Sequence, residues 1–211
     1  MGLLFFLSQV FVISLSGVMA PGPVTAAAIA MGARSRFAGV LIAVGHGIIE
    51  FPLMILIVLG MDKILKSTST QVVIGLAGGT FLLVMGVQML LSSLQKMESQ
   101  TSKAAKTGPV MAGIVLSGGN PYFLRGWATV GVAWATTARS FGVWAFVIFA
   151  MVHWLCDLVW LWALSWASFK GSVLLGPIVQ RIVLVICSAA LLAFGIFFAY
   201  RATRLISVTW L

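Results

Sequence analysis

Apolar runs long enough to cross a lipid bilayer follow one another, with little between them, from residue 3 to residue 200. A spanning helix needs about 20 apolar residues, since each residue rises about 1.5 Å and the hydrocarbon layer is about 30 Å thick. Six such spans can be read, at about 3–33, 37–60, 71–94, 110–137, 141–168 and 182–200. A chain of 211 residues that is 61% hydrophobic and only 8% charged has too little polar surface to cover them in water. The expected fold is therefore an all-α integral membrane protein, a single transmembrane domain over 1–211.

The opening stretch MGLLFFLSQVFVISLSGVMA has the look of a secretory signal peptide. It lacks the basic start of one, because the first Lys or Arg is Arg34, and its apolar character runs on through VTAAAIAMGA. It is expected to be the first span. The net charge of +9 falls mainly on loops and span ends, where it sets topology and attracts anionic lipid; nucleic acid is not an expected partner. With the N-terminus outside, the inner loops carry Arg34, Arg36, Lys96, Lys103, Lys106, Lys170 and Arg181. The outer side then carries Lys63, Lys66, Arg139, Arg201 and Arg204, so both termini are expected outside. Cys156 and Cys187 belong to no CxxC motif and read as packing residues.

The first span is too long for one straight crossing, at about 46 Å. APGP at 20–23 resolves the excess: Pro21 and Pro23 remove two backbone donors, and Gly22 frees the backbone between them. A second helical piece should start near Val24. The fourth span has the same anomaly at SGGNP, 117–121, where two glycines and the Asn120–Pro121 step interrupt an apolar run.

These breaks fall at similar places in two halves. Glu50 and Asp157 are 107 positions apart, as are His46 and His153, and SRFAGV at 35–40 resembles RSFGV at 139–143. Three spans per half is an odd number, so the halves should be inverted in the membrane, as in many secondary transporters. Repeat 1 is expected over 1–94, a polar linker over 95–109 and repeat 2 over 110–211, with helices 1 and 4 broken.

HGIIE at 46–50 and HWLCD at 153–157 hold the only two histidines and half of the four acids, all inside apolar runs. On a helix, Gly39, Ala43, His46, Gly47, Glu50 and Met54 share one face, made of small residues that let a neighbour approach. A single buried His–carboxylate pair is equally well a tie between helices. Two matched pairs favour function, because intramembrane ionisable groups are costly and mark ion or substrate pathways. Gly75 and Gly79 have the spacing of a helix-packing face; for Gln88 a helix-to-helix hydrogen bond is the simpler role and a substrate contact the other. Trp154 and Trp160 flank Asp157, where packing is the simpler role and stacking on a cation the other. Arg125, one turn after Asn120–Pro121, reads as snorkelling or as neutralising a carboxylate.

The early PGP, FLLVMG after paired glycines, NP in the fourth span and an acid followed by Trp in the fifth (Asp157, Trp160) resemble the lysine-exporter (LysE-type) superfamily of amino-acid translocators. The resemblance covers essentially the whole chain and rests mostly on the order of short motifs. It implies export of amino acids or related small metabolites driven by a proton gradient, and it matches Pro21, Gly22, Pro23, Asn120 and Pro121 to the family's two breaks. One departure stands out: Tyr122 follows Asn-Pro where the family commonly has Lys. A charged role there then needs another residue, such as Arg125.

Together these features read as a proton-coupled secondary exporter in the cell (plasma) membrane. Glu50 and Asp157 would take protons or cations, His46 and His153 would tune them, and the broken helices would meet the substrate. No cofactor is called for; the partners are a small-molecule substrate, protons and lipid, and homo-oligomerisation is left open. A divalent-metal exporter is the alternative, since two His and two carboxylates can complete a four-ligand site. An intramembrane metalloenzyme is disfavoured, as HxxxE is not HExxH and no Ser or Cys adjoins a histidine in sequence. In a third alternative, a membrane assembly subunit, the buried charges would serve no purpose.

Overall fold

A computed structural model of the chain describes residues 2–19, 22–60, 67–94 and 107–209. Among them the regular structure is helical, without strands. Helix α1 spans Leu3–Val18, α2 Pro23–Gly32, α3 Ala38–Val58 and α4 Thr68–Leu94. Then come α5 over Pro109–Gly118, α6 over Pro121–Gly126, a π turn over Trp127–Gly131, α7 over Val132–Ser140 and α8 over Val143–Thr209.

The two sequence breaks are helix breaks. α1 and α2 are bent by 71° to each other. Gly22 is extended (φ −160°, ψ 179°) and Pro23 opens α2, where a missing N–H costs nothing. Pro21 and Ala20 lie outside the described residues. At the second break α5 ends at Gly118, and Asn120 caps α6 by accepting from the backbone N–H of Tyr122 (3.0 Å) and Phe123 (3.3 Å).

Four helical stretches are long and apolar enough to cross a membrane: Ala38–Val58, Thr68–Leu91, Val143–Gly171 and Leu184–Ser207. The bent α1–α2 pair makes a fifth if taken as one span. The expected span 110–137 is divided among α5, α6, the π turn and α7, none longer than 10 residues. Chain in the expected linker lies outside the described residues over 95–106. Large apolar side chains such as Leu4, Val12, Val73, Val159, Ile186 and Ile196 face outward, as lipid contact requires.

Spans five and six are expected as separate helices, yet helical backbone continues between them through α8. α8 is not straight. Asp157 lies 3.8 Å from His46, whose ring is 4.9 Å from that of Phe123; the adjacent Tyr122 ring is 5.7 Å from Phe197. Forty residues of straight helix would hold Asp157 and Phe197 about 60 Å apart, so α8 doubles back between them.

The anticipated small-residue faces are used. Gly39, Ala43, His46, Gly47, Glu50 and Met54 are all buried. Gly39 sits against the Leu161 backbone and Gly47 against the Trp154 indole, on the first part of α8. Gly75 and Gly79 of α4 pack on Phe198, Gly195 and Ala202 of its second part. Gln88, by contrast, lies on the exposed side of α4.

Candidate functional site

His46 and Glu50 stand one turn apart on the buried face of α3, and His153 and Asp157 one turn apart on α8. The packing of these faces, held by the Trp154 indole N–H donating to the Ala43 carbonyl (3.0 Å), brings all four together. Glu50 is 0% exposed, His46 5% and Asp157 8%. His46 Nε2 donates to Glu50 Oε1 at 3.2 Å, and His153 Nε2 lies at the same distance from that oxygen. What the sequence shows as two separate pairs is one cluster centred on Glu50.

Asp157 stands slightly apart, 3.8 Å from His46 Nε2 through Oδ1 and 3.9 Å from His153 Nε2 through Oδ2. Those spacings are too long for hydrogen bonds but close enough for strong attraction in a dry interior once a ring is protonated. Glu50 Oε2 and Asp157 Oδ2 are buried without a hydrogen-bond partner among the described residues. Such orphan acceptors are expensive, and a cationic or protic occupant would satisfy them.

The far side of each ring is held by a serine that sequence reasoning missed. Ser117 Oγ of α5 is 2.6 Å from His46 Nδ1, and Ser14 Oγ of α1 is 2.6 Å from His153 Nδ1. With Nε2–H turned toward Glu50, a neutral ring accepts at Nδ1 and the serine O–H donates. In a protonated ring Nδ1–H donates and the serine oxygen accepts. Each imidazole can therefore gain or lose a proton without losing its partner. An aromatic edge completes each pocket, Phe123 at 4.9 Å from His46 and Trp127 at 5.2 Å from His153. The expectation that no hydroxyl adjoins a histidine is corrected here: it holds along the chain and fails in space. Ser117 is fully buried and does not line the cavity, so its visible role is to orient the ring.

The cluster forms part of the wall of a cavity of about 660 Å³. Gly22 and Pro23 at the start of α2 and Asn120 at the start of α6 line it too, so both breaks open on the buried charges. Pro121 and Arg125 line instead a side recess of about 30 Å³, together with Gln71, Tyr122 and Arg201. Arg125 is exposed there, away from the acids. The cation beside Tyr122 is Arg201, which donates to the phenol oxygen at 2.9 Å and lies 5.5 Å above the ring.

With both acids ionised and both rings neutral, the cluster holds two negative charges. Two protons, an ammonium group with a proton, or one divalent cation would each neutralise it. Donor atoms of His46, Glu50 and Asp157 all lie within 4.8 Å of one another, close enough to converge on a single ion.

Comparison with known families matches residues 15–202 to a model described as LysE type translocator. Neither a curated protein nor a solved structure matches the chain.

Proposed function

We propose a function from the premise that this chain belongs to the LysE type translocator family: it exports amino acids or related small metabolites across the plasma membrane in exchange for protons. The observation that carries this reading is the position of Glu50 and Asp157, each with a buried carboxylate oxygen that has no partner among the described residues, along a cavity flanked by two helix breaks. A substrate ammonium group and protons would compete for the same two negative charges. Binding the ammonium then requires release of one of two protons, which is the elementary condition for exchange. The start of α2, at the positive end of its dipole, would receive a substrate carboxylate.

Six spans in two inverted halves are part of the same reading. The reciprocal hydrogen bonds support it: Ser14 of the first half meets His153 of the second, and Ser117 of the second meets His46 of the first. Both termini should then lie on one side, outside, with the 95–109 segment on the other. Single cysteines introduced at Ser99 and Ser207 are expected to react with an impermeant thiol reagent from opposite faces of the membrane. Reaction of both from one face would remove the inverted repeat.

A second reading, export of a divalent metal ion, is favoured by the convergence of His46, Glu50 and Asp157 and by the serine support behind each ring. The histidines separate the two. Gln can keep a hydrogen bond to Glu50 but offers no ring nitrogen to a metal. His46→Gln and His153→Gln are therefore expected to displace the pH profile of amino-acid export while leaving substantial flux. Total loss of transport, together with saturable zinc binding in the parent that disappears in either variant, would establish the metal reading instead. The general test is flux of a panel of amino acids and metal ions in proteoliposomes with an imposed pH gradient. Equal flux with and without the gradient would end the proton-exchange reading.

A further inference from the structure

We infer that the solute carried through the central cavity is an amine bearing one large apolar side chain, best an aromatic amino acid, and not a basic or acidic one. This rests on the exporter reading and narrows it to a substrate class.

The polar end of the cavity asks for a cation with hydrogens to give. Glu50 Oε2 and Asp157 Oδ2 are buried acceptors without a partner among the described residues. A primary ammonium supplies three donors, one positive charge and no acceptor. Its charge also complements that of the acids, which the two rings satisfy at only one oxygen of Glu50 within hydrogen-bonding distance.

The rest of the wall asks for the opposite. Phe123, Trp127, Trp134, Phe194, Phe197 and Phe198 line it, and among the described lining residues there is no Lys or Arg. An acidic side chain would sit there as a second carboxylate with no Lys or Arg among the described lining residues to meet it. A basic side chain would find ring faces, but cation–π attraction recovers only part of the cost of stripping a second charge of water. An apolar side chain loses nothing and gains from leaving water, and a flat ring can stack or meet edges on several sides. The volume of about 660 Å³ is within the range, roughly 300–1,000 Å³, in which proteins hold small organic ligands. It leaves room for a bulky side chain beyond the amine.

The experiment uses the full chain in proteoliposomes and four radiolabelled probes: phenylalanine, alanine, lysine and aspartate, each with and without a pH gradient. Phenylalanine is expected to saturate at a concentration roughly tenfold or more below alanine, with no gradient-dependent movement of lysine or aspartate. Trp134→Ala should raise half-saturation for phenylalanine roughly tenfold and narrow its advantage over alanine. Should this variant not fold, the parent panel decides by itself. Preference for lysine or aspartate, or equal affinity for phenylalanine and alanine, overturns the substrate class while the exporter reading survives. If the gradient moves none of the four probes, both fall.

Discussion

Glu50→Gln is expected to cut proton-driven transport by about 100-fold or more in protein that still folds and inserts. The amide has nearly the shape of the acid, and its oxygen can still accept from His46 Nε2, which now donates to Oε1 at 3.2 Å. The helix face that Glu50 shares with Gly39, Ala43 and Gly47 is therefore undisturbed. What disappears is a group able to exchange a proton for a substrate cation. Removing one of two buried negative charges also leaves the site unable to balance an ammonium and a proton together. Asp157→Asn should behave alike, since its Oδ2 is the other orphan oxygen. Flux in proteoliposomes with and without an imposed pH gradient measures the loss, and a melting curve in detergent shows that the variants are folded. Variants that answer the gradient as the parent does would make the two acids structural ties.

The second large effect concerns the seat of the second break. A Cβ added at Gly78 of α4 would overlap the carbonyl of Gly119, between α5 and α6, and one added at Gly119 would stand 2.9 Å from Gly78 Cα. Two backbones touch here with no side chain between them to yield. Overpacking a core costs about 1–3 kcal/mol even where side chains can shift, and a backbone clash lies at or beyond that range. Gly78→Ala is expected to lower the melting temperature by roughly 3–10 °C, and Gly78→Val to stop folded protein accumulating. Gly171→Ala, where a Cβ meets nothing within 4 Å, is the control and should be neutral. If Gly78→Val melts with the parent, α4 does not brace the break.

The difference between these residues and others in the site shows what a single sequence reveals. Both breaks were legible because Pro and Gly act on the backbone locally, whatever surrounds them. The buried face of α3 was legible because helical spacing alone aligns its small residues with His46 and Glu50. The serines were not. A hydroxyl in an apolar helix looks the same whether it bonds its own backbone or an imidazole 71 or 139 positions away, as Ser117 and Ser14 do. For the same reason His153 was assigned to Asp157 on its own helix, while its nearest carboxylate is Glu50 on another. Arg201 beside Tyr122 is a further distant meeting, 79 positions apart. Within 110–137 the break at 117–121 was read, while the π turn at Trp127–Gly131, which holds a lone glycine and no proline, was not. Conversely, spans five and six were expected as separate helices, yet the backbone of α8 stays helical while it doubles back.

The crossed bonds Ser14–His153 and Ser117–His46 have a consequence for how the chain is assembled. Each histidine is completed by a residue translated from the other side of the 95–109 stretch, so neither portion contains a finished copy of the site. During synthesis His46 must wait for Ser117, and Ser14 for His153, until nearly three quarters of the chain exists. By joining the two portions, the segment between them governs the formation of the cluster, because it keeps them at high effective concentration. Severed there, the protein would retain every functional group, but its site would become a bimolecular complex, present only to the extent that the pieces find each other in the bilayer.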